Sequence, residues 1–296
     1  MSCRTAELYR KGLIQPPPWL PDQVAYESLG GSHSYGTHHA ESDFDIVGFA
    51  IPPKDIVFPH LQGIIGFATQ VRKFDKFIQQ GIVDKEARKE YDFAIYGIVR
   101  FFSLCMDCNP NMIETLFTPT FCVQHTTAVG QLVRENRKLF LHKGGFHKLK
   151  GYAFSQLSKM SREPQGKRKE LVEKHGFDTK FALNVVRLML ECEQLLEEGD
   201  LDLLRNREHL KAILRGEISE EDIRKWATDK ERHLENLYAT STLRHSPDEE
   251  KIGQLLIDCL EMHYGDLSEV LPQGDKAKKV LREIQDLLTR NQKLLA

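Results

Sequence analysis

The 296-residue chain contains no apolar run approaching the ~20 residues that a membrane span requires. Its opening segment, Met1–Lys11, is too polar to read as a secretory leader. Six cysteines lie scattered over the whole length, which excludes the dense, evenly spaced framework of a small disulfide-stapled secreted domain. There is no internal repeat, no low-complexity tract and no overwhelming charge of one sign, since 41 Lys and Arg face 43 Asp and Glu. These absences leave a soluble, non-fibrous globular protein of a reducing compartment, with the cytoplasm as the expected location. Hydrophobic residues at 41% and charged residues at 28% agree with that class.

The balance of charge hides a gradient. Residues 143–187 hold eleven Lys and Arg against four Asp and Glu, a surplus of +7, while residues 1–142 sum to −1 and residues 188–296 to −8. A basic block inside a slightly acidic chain points to an anionic partner at one place, or else to a solvated helical face.

Hydrophobic rhythm divides the chain in two. In the first third, "VAYESLGGS" (Val24–Ser32), "FDIVGFAIP" (Phe44–Pro52) and "YDFAIYGIV" (Tyr91–Val99) read as strands, the last turning helical; the stretch 66–91 between the latter two reads as irregular or helical connection. From about residue 97 onward apolar residues recur at helical spacing in "IVRFFSLCMDC", "NPNMIETLF", "TAVGQLVRENRKLFL", "KLKGYAFSQLSKMS", "DTKFALNVVRLMLECEQLLEEG", "SEEDIRKWATDKERHLENLYATS" and "SPDEEKIGQLLIDCLEMHYG". Several of these open on Ser, Thr or Asp in N-cap position. A last amphipathic stretch covers Lys276–Leu295. The fold class expected is a small α/β unit followed by a mostly helical one.

Two constellations compete for the chemistry. Cys105, Cys108, Cys122 and His125 approach the spacing of a structural zinc site. Cys105 and Cys108, however, fall on the apolar rhythm of a helix, so buried thiols are expected there. His33, His38 and His39 lie near one another in sequence, and His38 and His39 read as solvent or loop residues. The second constellation is "GGSHSYGTHHAESDFD". A strand runs into Gly30-Gly31-Ser32, and beyond ten intervening residues come Asp43-Phe44-Asp45 at the head of the next strand. Alternation along a strand places Asp43 and Asp45 on one face, roughly 7 Å apart. Two carboxylates so placed repel each other and suit shared hard divalent cations. Gly31 permits close backbone approach to a phosphate, and Ser32 adds a hydroxyl. A phosphate-binding turn beside a metal-holding carboxylate pair is the equipment of phosphoryl or nucleotidyl transfer.

Gly31-Ser32 followed by Asp43-x-Asp45 resembles the signature of the DNA polymerase β-like nucleotidyltransferase superfamily. "GLIQPPPWLPD", "NPNMIETLF", "GYAFSQLSKM", "FDTKFALNVVRLM" and "SPDEEKIGQLL" extend the likeness to its RNA-repair-associated subfamily over roughly residues 12–260. The resemblance implies an α/β nucleotidyltransferase domain with a small mixed sheet over residues 1–120, then a helical domain over 121–296 that contributes to nucleotide and acceptor binding. It implies transfer of an NMP from an NTP, with Mg²⁺ or Mn²⁺ held by Asp43, Asp45 and a third carboxylate. Asp92 is the candidate for that third position, with Glu114 as the competitor. Ser42 resembles the family's residue before the aspartate pair, where it would hold the loop with Tyr35 and Gly36 nearby. Gln156, Lys159, Lys180 and Arg187 lie in family-like helical motifs and would bind the triphosphate. RNA is the expected acceptor, favoured by the basic block; tRNA or protein acceptors, or a non-catalytic nucleotide-binding module, are the alternatives.

Overall fold

The β-rich runs around residues 45 and 92 form neighbouring strands, and the remaining elements arrange themselves about that pair. The computed structural model describes residues 3–58, 73–160, 168–265 and positions 280, 281, 283 and 284. The first elements are α1 (Arg4–Arg10), α2 (Leu20–Gln23), β1 (Val24–Leu29), α3 (Gly31–Ser34), β2 (Phe44–Ala50), α4 (Lys54–Val57), β3 (Lys76–Asp84) and β4 (Lys89–Gly97). Then follow α5 (Ile98–Met106), α6 (Pro110–Phe117), β5 (Val123–Thr126), α7 (Ala128–Glu135), α8 (Gly145–Lys159), α9 (Arg168–His175), α10 (Thr179–Glu198), α11 (Arg207–Leu214), α12 (Glu220–Thr240) and α13 (Glu249–Tyr264). This is the expected mixed sheet followed by helices.

The five strands lie in the order β3-β4-β2-β1-β5. All neighbours are antiparallel except β2 and β4, which run parallel with Phe44 opposite Tyr91 and Asp45 opposite Asp92. Alternation gives the sheet two apolar faces. Val47, Phe49, Ile51 and Tyr96 face the helical layer, while Ile46, Ala50, Tyr91, Phe93 and Ile95 pack with Leu8 of α1 and Leu20 of α2. In the helical layer α10 is central and packs on α8, α11 and α12. Asp178 caps its start, accepting from the Lys180 and Phe181 N–H groups at 3.0 and 3.1 Å.

β3 corrects the expectation of an irregular or helical stretch before Tyr91. It is an edge strand whose outward Ile78 and Val83 are exposed, and a break in its pairing between Gln79 and Ile82 disturbs the two-residue rhythm. Gly81 sits in that break at φ 66°, where a side chain would be strained. β5, four residues long, is too short to show periodicity. Most of the Lys276–Leu295 stretch lies outside the described residues. No described helix is long and apolar enough to cross a membrane.

Candidate active site

The parallel pairing of β2 with β4 does for the carboxylates what neither strand does alone. Asp45 and Asp92 are register partners, so both project from the helical-layer face of adjacent strands, about 5 Å apart. Asp43 sits immediately before β2 and is exposed at the sheet's end. Burial pushes the Asp45 carboxyl up to about 6, and the charges of Asp92 and Asp43 add to the rise, while Lys180 opposes it. Charges from the loop before β2, from β4 and from α10 therefore converge on Asp45. Asp92 also accepts a hydrogen bond from the Gly81 N–H at 2.7 Å, which anchors its carboxylate to the β3 bulge.

Gly31 closes the other side. It has φ 54°, and a Cβ there would stand 2.1 Å from Asp45 Oδ2, so only glycine lets the turn lie against this carboxylate. Gly30 N–H donates to the Asp45 carbonyl at 2.8 Å, tying the turn to β2. Ser32 lies in the short α3 that follows. Ser42 closes the loop between α3 and β2, its hydroxyl accepting from the His39 N–H at 2.9 Å.

The helical candidates separate into two groups. Lys180 is exposed on the first turn of α10, and Lys159 at the end of α8 lies with its Nζ 5.9 Å from the ring of neighbouring Phe181. Gln156 is one turn earlier on α8 and buried. Arg187 is brought elsewhere. Two turns further along, α10 has entered the core, where the Arg187 guanidinium is buried and donates to Glu114, to Glu191 at 3.0 Å and to Asn184 at 3.4 Å. With two carboxylates already on it, Arg187 is not presented to a triphosphate. Glu114 is likewise committed, to Arg187 and to the Tyr35 hydroxyl. Sequence reasoning missed this buried Tyr35–Glu114–Arg187–Glu191 group. Its signal was available: single charges of opposite sign interrupt the apolar runs "NMIETLF" and "NVVRLML".

As a cation site, the aspartates suit a hard metal by donor type and by mutual repulsion. Among the described residues, a tighter convergence of His and Glu atoms, within 4.8 Å, occurs at Glu193, Glu197 and His233. That group is an interhelical ion-pair cluster, since Lys230 Nζ already sits 2.5 Å from Glu193. The cysteine set does not assemble. Cys108 donates to the Phe140 carbonyl, Cys122 to the His33 carbonyl, and His125 bonds the Val24 carbonyl. All six cysteines are buried and none forms a disulfide.

Comparison with known proteins agrees with the arrangement. A 38.9 kDa protein from the nrdC–mobD intergenic region of Enterobacteria phage T4 is 27% identical over 140 residues, covering 46% of this chain and 38% of the phage protein. This chain thus spans under half the length of that relative. The family model describing the RNA repair pathway DNA polymerase beta family matches residues 19–258, which contain every element of the sheet and most of the helical layer, and the chain belongs to that family.

Proposed function

We propose that the chain is a metal-dependent nucleotidyltransferase that moves an NMP from an NTP to a hydroxyl of an RNA end, releasing pyrophosphate. The observation that carries this reading is the juxtaposition of Asp45 with Asp92 across β2 and β4, beneath Gly31 and facing Lys180. Family membership supports it independently. In the reaction the acceptor oxygen bonds to the α-phosphorus, the bond from that phosphorus to the bridging oxygen breaks, and pyrophosphate leaves with the electron pair.

Asp43, Asp45 and Asp92 would hold Mg²⁺ or Mn²⁺, which supplies charge neutralisation at the transferring phosphoryl group and the leaving pyrophosphate. Lys180 and Lys159 would meet the β- and γ-phosphates from the helical side. Asp92, on the strand next to the edge strand β3, would take up the proton released by the acceptor hydroxyl. Ser32 and Ser42 shape the phosphate turn, and Gln156 supports it from α8. Arg187 acts at one remove, through Glu114 and Tyr35, on the segment that follows Gly31–Ser34.

The test is incubation with each α-labelled NTP, Mg²⁺ and total RNA. Label should enter RNA; Asp45→Asn should abolish transfer, and Asp92→Asn should slow it by about 10²–10⁴-fold with NTP affinity little changed. Label in a protein band instead would replace the RNA acceptor with a protein one. No label anywhere, with folded wild type and each of the four NTPs, would reject the activity.

A further inference from the structure

On the face of the sheet turned away from Lys180, a ladder of rings runs from the interior to the surface. Phe93 stands 6.3 Å from Tyr91, Tyr91 5.5 Å from Phe44, Phe44 4.6 Å from His33, and His33 4.6 Å from His38. The last two rings are parallel to within 7°. His33 is buried, whereas His38 is exposed. His33 Nδ1 is enclosed and has no hydrogen-bond partner among the described residues. Burial, and after it the charges of His38 and Lys89, lower the His33 pKa. The His33 ring instead makes its contacts through its faces, with Phe44 and His38. Beside the ladder, Lys89 places its Nζ 4.4 Å from the Phe44 ring centroid. Phe44 itself lies between Asp43 and Asp45.

We propose that His38 is the stacking platform for the terminal base of a single-stranded RNA acceptor, with Lys89 meeting an adjacent phosphate; this rests on the nucleotidyltransferase reading. The separation of the ladder from the triphosphate lysines favours the acceptor's base over that of the NTP, and Phe44, set between Asp43 and Asp45, brings the ladder to the end of the sheet where those carboxylates stand. Lys159 and Lys180 are on the helical side, with Asp45 and Asp92. The ladder is on the opposite side, and Lys89 opens β4, the strand of the proposed proton acceptor Asp92. An aromatic face backed by further rings suits an unpaired base, and a duplex would keep its bases from it.

The experiment measures binding of a fluorescent single-stranded RNA to the full chain by anisotropy, without NTP, so that it needs no chemistry. His38→Ala should weaken binding by about 5- to 100-fold, the range for loss of one stacked base. His38→Phe should restore it, which loss of a titratable or hydrogen-bonding group would not do. An oligonucleotide lacking its terminal base should bind wild type and His38→Ala alike. Equal binding of the intact RNA by wild type and His38→Ala, failure of His38→Phe to rescue, or a persistent His38→Ala defect on the base-lacking oligonucleotide would each overturn the proposal. Label transfer, measured separately, reports on the activity itself: transfer that persists with unaltered RNA binding in His38→Ala would discard the platform and keep the nucleotidyltransferase.

Discussion

At the scale of single residues, Asp45 is where sequence, strand pairing and electrostatics meet. Its carboxyl holds a proton up to about 6 in the folded chain against 3.8 for an ordinary aspartate. Between those values the native state binds more protons than the unfolded state, so stability falls as pH rises through the window. The shift corresponds to on the order of 1–2 kcal/mol once the partial exposure of the group is allowed for. Asp45→Asn removes the effect. Urea unfolding in the presence of a chelator should show the variant gaining stability relative to wild type from pH 4 to pH 7, with most of the gain complete by pH 6.5. A difference that is flat with pH would mean that Asp45 is solvated and unstrained. The pair Gly31 and Asp45 was legible in the sequence because both belong to one short motif. The clash that a Cβ at position 31 would make with Asp45 Oδ2 was not, because it depends on how the turn folds back over β2.

Among elements, α10 shows how one helix can carry two basic residues to different ends. Lys180 and Arg187 are seven apart and share a face by helical spacing, and in the sequence they looked equivalent. What separates them is depth: Asp178 starts the helix beside the aspartates with Lys180 still in solvent, and two turns later the same face is enclosed by α6 and the remainder of α10. Depth is a tertiary property, and spacing does not encode it. Lys180→Ala should therefore weaken NTP binding and leave the urea midpoint within about 0.5 kcal/mol of wild type. Arg187→Ala strands Glu114 and Glu191 without their cation and should cost about 3–5 kcal/mol of stability. Titration calorimetry and urea melts on both variants check the separation, and an Arg187→Ala protein as stable as wild type would place that guanidinium outside the core. The strands tell a related story. β2 and β4 could be read from their β-rich runs, yet β3, bulged at Gly81 and half in solvent, lacked the alternation that betrays a strand.

For the whole molecule, the distribution of the core bears on how the two halves of the sequence behave. Ala25, Tyr26, Phe49 and Ile51 of the sheet region belong to the same apolar cluster as residues of α5 through α8 and α10 through α13. β5, which follows two helices in the chain, completes the sheet by pairing with β1. Tyr264 at the end of α13 donates its hydroxyl proton to the Pro52 carbonyl just past β2. Among the described residues, sheet and helices share this one buried cluster, so the loss of one half exposes apolar surface on the other. That coupling predicts a single cooperative unfolding transition for the sheet and the helical layer. The two tryptophans are placed to test it. Trp19 packs with Phe74 against the outer face of the sheet, at a ring separation of 4.7 Å, and Trp226 packs on the helical cluster from α12. In single-tryptophan variants, Trp19→Phe and Trp226→Phe, the fluorescence midpoints in urea should coincide with each other and with the far-ultraviolet signal, after correction for each variant's own stability. Midpoints that separate, with Trp19 and Trp226 reporting different transitions in proteins of equal overall stability, would mean that the sheet and the helical layer fold as independent units despite the core they share.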